Sequence, residues 1–191
     1  RFGTHCSAAF GIAMRIDQLA FMPAMALGMA ASTLVGQNIG AKRLDRVSLI
    51  LRWGLILGWL LTLPGAILSF GIPSLLMRMF AQDADVIAPG AYYLRVASVG
   101  YLLVTVMFVG NGVVIGSGHT MATTLFTLVV FFVVRIPIGW LLSSTLERVE
   151  GVWYAILLSY GIGAFLSIAY YLSGRWRIPI KNKTQQREAE D

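Results

Sequence analysis

The fold is decided by residues 53–77, WGLILGWLLTLPGAILSFGIPSLLM, a stretch without a charged side chain. About 20 apolar residues in a helix are enough to cross the hydrocarbon core of a bilayer, and this run is longer. Its residues do not alternate between apolar and polar, as the strands of a membrane barrel do. Lipid offers the backbone no hydrogen-bond partners, so the N–H and C=O groups of such a run must bond each other, as they do in a helix. The sequence therefore predicts a membrane-spanning helix here.

Four more hydrophobic segments flank this run and are separated from it by short polar stretches. Together they predict five spans, at about 7–37, 47–79, 86–116, 121–146 and 151–173. The prediction is an all-α integral membrane protein, with residues 1–174 as a transmembrane bundle and 175–191 as a cytoplasmic polar tail. Five internal prolines are expected to kink these spans, where neighbouring helices satisfy the freed carbonyls. They are Pro23, Pro64, Pro73, Pro89 and Pro137.

The composition argues against a soluble protein. Hydrophobic residues make up 57% of the chain and charged residues 13%, whereas a soluble domain has about 25% charged residues. The net charge of +6 would suit nucleic acid, but the basic residues lie between and after the hydrophobic runs. We therefore expect a lipid bilayer as the environment and no nucleic-acid partner. The single cysteine, Cys6, excludes an internal disulfide, and no metal-ligand spacing or cofactor motif is present.

The basic residues also predict the orientation. Five spans place loop 40–46 and the tail on one side, which carries eight Lys and Arg against three on the other. The excess of positive charge marks the cytoplasmic side. We expect a multi-pass protein of the plasma (inner) membrane with its C-terminus in the cytoplasm. The chain begins with Arg1 instead of Met, so it is expected to be a piece of a longer protein.

Ionisable side chains inside the spans are the candidate functional residues, because each costs about 2.5–3.5 kcal/mol at the centre of a membrane helix. Asp17 lies near the middle of the first span, on a face with Met14, Phe21 and Met25 and with Gln18 at its margin. A carboxylate attracts a cation, and thioethers and rings adapt to an apolar one. This grouping predicts a cavity for organic cations.

Structural roles are open alternatives for the same residues. Asp17 would form an ion pair with Arg135 of another helix, or Arg135 would donate to the carbonyls freed by Pro137. Arg15 lies about 160° around the helix from Asp17, so these two cannot pair. Asn111 would make an interhelical hydrogen bond or line the cavity. The spans carry no nucleophile with its base and no pair of acids, so an enzyme is not expected.

The run IAMRIDQLAFMPAMALGMAASTLVGQNIGAKRLDRV, at 12–47, resembles the second helix and following loop in the C-terminal half of multidrug and toxic compound extrusion (MATE) transporters. Further motifs follow in the expected order: MFAQDADV at 79–86, YYLRVASVG at 92–100, GNGVVIGSGHT at 110–120, RIPIGWLL at 135–142 and EGVWYAI at 150–156. The resemblance implies twelve spans in two six-helix halves. The five spans here would be the eighth to twelfth, most of one six-helix lobe.

The resemblance also implies a function, with the absent N-terminal half as a partner. Such transporters export drugs and organic cations in exchange for Na⁺ or H⁺, and members of the wider superfamily flip lipid-linked substrates. A non-transporting scaffold subunit is a further alternative. Asp17, Gln18, Met14, Phe21, Met25 and Asn111 would line the central cavity. Val104 stands where many members carry an acid in the third span of this half, so ion coupling is expected mainly in the absent half.

Overall fold

The computed structural model describes residues 3–145 and 150–177, and within these ranges it is all helical. The helices are α1 (Gly3–Gly40), α2 (Asp45–Gly71), α3 (Pro73–Arg78), α4 (Ala84–Gly116), α5 (Thr120–Leu128), α6 (Ile136–Thr145) and α7 (Glu150–Leu172). A π-helical segment, Val129–Arg135, joins α5 to α6, and a 3₁₀ turn, Arg175–Arg177, follows α7. The end of the predicted fourth span and most of the predicted tail lie outside the described residues.

Five helical stretches are long and apolar enough to cross a membrane, which confirms the predicted all-α membrane class. They are Cys6–Gly40, Asp45–Gly71, Ala84–Gly116, Thr120–Thr145 and Glu150–Leu172. Many of their large apolar side chains are exposed, for example Trp140 at 69% and Phe132 at 63%. Such a surface suits lipid, since water would penalise it heavily.

The segment predicted as one span at 47–79 contains a break. Helix α2 ends at Gly71, and Pro73 then opens the short helix α3. Proline suits the first turn of a helix, because backbone amides there have no acceptor within the helix and the lack of an amide hydrogen costs no hydrogen bond. Pro73 is therefore a helix start and not the predicted kink, whereas Pro23 and Pro64 lie inside α1 and α2 as expected.

The fourth span changes its helix type just before Pro137. The amide of Ile136 donates to the carbonyl of Phe131, five residues back, instead of four. Proline has no amide hydrogen and its ring crowds the carbonyl four residues earlier. A π-helical segment is rare and usually a short insertion in an α-helix, with hydrogen bonds that span five residues instead of four. The sequence indicated a kink here but not its π-helical form.

Helix α4 lies at the centre and packs against α1, α2 and α7. Its contacts with α1 are close because glycines face each other. A Cβ added to Gly28 would lie 2.7 Å from the carbonyl oxygen of Phe108, and one added to Gly112 would lie 3.2 Å from Cα of Gly28. Small residues let membrane helices approach in this way. Helices α1 and α4 therefore meet backbone to backbone.

The start of the predicted polar tail is part of the packed bundle. Trp176 is 3% exposed, stacks on Tyr171 with ring centroids 5.6 Å apart, and donates from its indole nitrogen to the carbonyl of Tyr171. It belongs to a core cluster with Val47 and Val109. Burial of the indole ring removes its apolar surface from water and so stabilises the fold, and its N–H keeps a hydrogen-bond partner. The bundle thus extends beyond residue 174, where the sequence placed its end.

Candidate functional site

A buried carboxylate is held between α1 and α4. Asp17 is 3% exposed. The hydroxyl of Tyr93 donates to its Oδ2 at 2.5 Å, and the hydroxyl of Tyr101 donates to its Oδ1 at 2.6 Å. Burying a carboxyl group away from water is costly unless its oxygens are hydrogen-bonded. Both oxygens of the buried acid therefore have a donor from the neighbouring helix.

The sequence spacing of the two tyrosines on α4 explains how both reach Asp17. Tyr93, Ala97 and Tyr101 follow each other at intervals of four residues and so lie on one helical face. All three are buried. The small residue in the middle leaves room between the two rings, and the carboxyl group of Asp17 reaches both hydroxyls there.

Aromatic rings surround the acid and its donors. Phe10 packs edge-on against Tyr93, and Phe21 packs edge-on against Tyr101, each with centroids 5.3 Å apart. Phe21 also contacts Tyr160 of α7 at 5.8 Å. The acid thus lies in an apolar surrounding, where an electrostatic interaction is stronger than in water.

Arg135 has neither of the partners considered from the sequence. Its guanidinium lies 4.4 Å from the ring centre of Phe131 and 5.3 Å from that of Tyr160. Its Nε donates to Oγ of Ser159 at 3.4 Å. The ion pair with Asp17 does not form: the carboxylate accepts from the two tyrosines, and the guanidinium lies against Phe131, Tyr160 and Ser159. Cation–π contacts stabilise a partly buried guanidinium by about 0.5–2 kcal/mol, so Arg135 has a structural environment of its own.

The proposed lining residues of α1 divide between two adjacent faces. Asp17 and Phe21 point toward α4, whereas Met14, Gln18 and Met25 are exposed. Met14 is 50% exposed and Met25 is 47% exposed, so both are open to a ligand or to another part of the protein. Arg15 is exposed as well. The structure therefore does not bring the acid and the methionines into one enclosed cavity, and the cavity assignment stays a prediction.

Asn111 lies apart from this group. It is ten residues beyond Tyr101 on α4, about 15 Å along the helix. Its Oδ1 accepts from Oγ of Ser167 at 2.6 Å, which is the interhelical hydrogen bond considered from the sequence. It also lines a groove of about 360 Å³ with Thr123 and Thr127. Asn111 therefore has both a structural bond and an accessible surface.

Val104 lies seven residues before Asn111 on α4 and is 1% exposed. Its neighbours along this face pack against α7: a Cβ on Gly100 would contact Tyr160, and Met107 contacts Gly163. The position where the resemblance implies an acid in many members is thus a buried valine among packed residues. Among the described residues, no cluster of three or more His, Cys, Asp or Glu could hold a metal ion.

Sequence reasoning missed Tyr93 and Tyr101. An acid inside a membrane needs donors, and two tyrosines eight residues apart in an apolar span offer them on one face. That spacing was available in YYLRVASVGY at 92–101. Tyrosine also fits an apolar run by its ring, so hydropathy alone does not single it out.

We expect Tyr101→Phe to destabilise the protein by about 1–3 kcal/mol, because it leaves Oδ1 of a buried carboxylate without a donor. The measurement is thermal unfolding of the purified protein in detergent. Tyr154→Phe is the matched control: its hydroxyl bonds that of Tyr92 at 2.6 Å, but both residues are exposed. Equal losses in the two variants would contradict the special role of the Asp17 bond.

Comparisons with known proteins agree with the resemblance noted from the sequence. Residues 1–141 match the family model described as MatE. The chain is 32% identical over 176 residues to "Probable multidrug resistance protein YpnP" of Bacillus subtilis (strain 168), which covers 92% of this chain and 39% of that protein. It is 32% identical to "Probable multidrug resistance protein NorM" of Pasteurella multocida (strain Pm70), covering 86% of this chain and 36% of that protein.

A third relative is more distant in sequence. "Probable multidrug resistance protein NorM" of Thermotoga maritima is 25% identical, over 91% of this chain and 38% of its own length. The chain thus spans about two-fifths of the length of the curated relatives it matches.

Proposed function

The chain belongs to the MatE family, and from this premise we propose that it is part of a secondary active transporter that exports drugs and organic cations in exchange for Na⁺ or H⁺. The observation that carries the proposal is the family match over residues 1–141. Five membrane-length helices and a buried acid at Asp17 support it. On this proposal the substrate crosses the membrane unchanged, and no residue is assigned a catalytic role.

We place the chain in the C-terminal half of the transporter, as spans eight to twelve. The remaining spans would supply the N-terminal half, which this chain needs as a partner. Transporters built from two bundles move their substrate by rocking one bundle against the other around a site near the midplane. The proposed location is the plasma (inner) membrane, with the C-terminus in the cytoplasm. The basic end formed by Lys42, Arg43, Arg46, Arg175 and Arg177 supports that orientation.

The exposed face of α1 is the proposed wall of the substrate path. Met14, Gln18 and Met25 lie there with Met22 and Met29, which are 63% and 73% exposed. Flexible thioethers adapt to apolar ligands of different shape. Asp17 lies behind this face and would attract a cation through the apolar surrounding. An organic cation would touch the carboxylate itself only by displacing a tyrosine hydroxyl.

The test is ethidium efflux by the whole transporter in cells that lack their main drug exporters. We expect faster efflux than in cells with an empty vector, driven by an imposed Na⁺ or pH gradient. The ion whose gradient is required identifies the coupling ion, because only a bound ion transmits work between the two states. Unchanged ethidium retention with the protein present in the membrane would contradict the proposal.

A further inference from the structure

A groove of about 500 Å³ lies between α1 and α2, at the end where α1 stops and α2 begins. Its walls are almost wholly apolar. Residues from both helices form them, including Leu27, Ala30, Leu34, Leu49, Trp53 and Leu57. Several of these are exposed, such as Leu49 at 51% and Trp53 at 57%. The described part of the chain therefore leaves this groove open along its length.

The mouth of the groove is polar and positively charged. Arg46 and Asn38 line it, and Nδ2 of Asn38 donates to the carbonyl of Leu34 at 2.8 Å. Within residues 3–145 and 150–177, no acidic side chain pairs with the guanidinium of Arg46. Lys42 and Arg43 are exposed in the adjoining turn. An anion at this mouth would meet the guanidinium of Arg46, while Lys42, Arg43 and Asp45 in the adjoining turn leave the surroundings net positive.

The depth of the groove matches one leaflet of a bilayer. Arg46 and Leu57 stand eleven residues apart on α2, which is about 16 Å of helix. The hydrocarbon core of a bilayer is about 30 Å thick, so one leaflet is about 15 Å. Trp53, a wall residue of the groove, lies seven residues after Arg46, about 10 Å along α2 and so within the leaflet.

We propose that this groove binds an anionic glycerophospholipid, with the phosphate at Arg46 and one acyl chain between α1 and α2. The apolar walls need an apolar occupant, and the charge at the mouth selects an anionic headgroup. Basic pockets between membrane helices bind anionic headgroups for the same reason. A soluble phosphate would leave the apolar walls unused. The proposal does not depend on which substrate the transporter exports.

The first test uses the purified whole transporter in nanodiscs of mixed phosphatidylglycerol and phosphatidylcholine. Spin-labelled forms of the two lipids report which one is held at the protein surface. We expect wild type to prefer phosphatidylglycerol, and Arg46→Gln to lower that preference about fivefold. Arg78→Gln is the matched control, since Arg78 is an exposed arginine at the opposite end of the bundle. An unchanged preference in Arg46→Gln, or an equal loss in Arg78→Gln, would overturn the proposal.

The second test fills the groove without changing its charge. Ala30→Phe places a ring between its walls, and we expect the bound phosphatidylglycerol to be lost. Ala88→Phe makes the same change at an exposed position of α4 and should retain the lipid. Displacement of the lipid by an excess of inorganic phosphate would assign the mouth to a soluble anion instead.

The third test asks whether protein covers the groove in the whole transporter. In a background where Cys6 and any other cysteine of the transporter are replaced by serine, a nitroxide attached to Leu49→Cys should be relaxed by O₂, which dissolves in the lipid phase. Low accessibility to O₂, with a crosslink from Leu49→Cys to another helix of the transporter, would show that a helix occupies the groove and would refute the lipid site.

Discussion

Asp17→Asn in the whole transporter should lower gradient-driven ethidium efflux by at least about tenfold, with the amount of protein in the membrane near that of wild type. Asparagine has the size of aspartate but no charge. Two opposite unit charges about 10 Å apart attract each other by about 1.7 kcal/mol at an effective dielectric constant of about 20, and 1.4 kcal/mol corresponds to a factor of ten. The carboxamide oxygen still accepts from one tyrosine, and its NH₂ group donates to the oxygen of the other. The site stays hydrogen-bonded while its attraction for cations is lost.

Two comparisons separate a transport role of Asp17 from a structural one. Asp17→Ala leaves the buried hydroxyl of Tyr93 without its acceptor and that of Tyr101 with only Oγ of Ser69 at 3.4 Å, so this variant should accumulate poorly. Asp45→Asn makes the same change as Asp17→Asn at an exposed acid and should leave efflux within about twofold of wild type, as surface changes usually do. If Asp17→Asn reduces protein amount as much as Asp17→Ala, with normal efflux per molecule, the acid is structural. Normal amount with normal efflux rules out both roles.

The number and type of the spans could be predicted because membrane crossing depends on length and hydropathy, which are properties of the sequence alone. The break at Ile72 could not be predicted in the same way. Residues 47–79 are apolar on both sides of it, so hydropathy does not change where α2 ends. The signal was Pro73, because proline disfavours a helical conformation in the residue before it and favours the first turn of a new helix; Ile72 indeed leaves the helix, with φ −130°.

The rotation of α1 is harder to predict than its existence. In a soluble helix, the apolar face is the packed face. In lipid both the packed and the exposed faces are apolar, so Met14 and Met25 do not differ from Phe21 by hydropathy. Helix α4 decides which face of α1 is packed. Its Tyr93 and Tyr101 supply donors to Asp17, and its glycines let the backbone of α1 come close.

Asp17 itself was identified because a charge in an apolar span has few explanations. Its partners were not identified, because the cost of a buried charge says only that donors exist and not which residues provide them. The ion pair with Arg135 was one way to meet that need. The two tyrosine hydroxyls meet it instead, and the rings of Phe131 and Tyr160 meet the need of Arg135 separately.

Gly112→Ala should destabilise the protein by about 3 kcal/mol or more, although it adds a single methyl group. The new Cβ would lie 3.0 Å from the backbone carbon of Gly28 and closer still to its carbonyl oxygen. Backbone atoms of a packed helix cannot rotate away as a flexible side chain does. Helices α1 and α4 would have to separate, which would also loosen the bonds from Tyr93 and Tyr101 to Asp17. Thermal unfolding in detergent and the yield of monodisperse protein measure the effect.

Gly11→Ala provides the opposite expectation with the same chemical change. A Cβ at Gly11 of α1 meets nothing within 4 Å. Alanine is favoured over glycine inside a helix by about 1 kcal/mol, so this variant should be neutral or slightly more stable. The contrast isolates the contact between the helices from helix propensity, since both glycines lie inside helices. If Gly112→Ala unfolds at the same temperature as Gly11→Ala, then α1 and α4 do not meet backbone to backbone, and the position of Asp17 between the two tyrosines loses its structural basis.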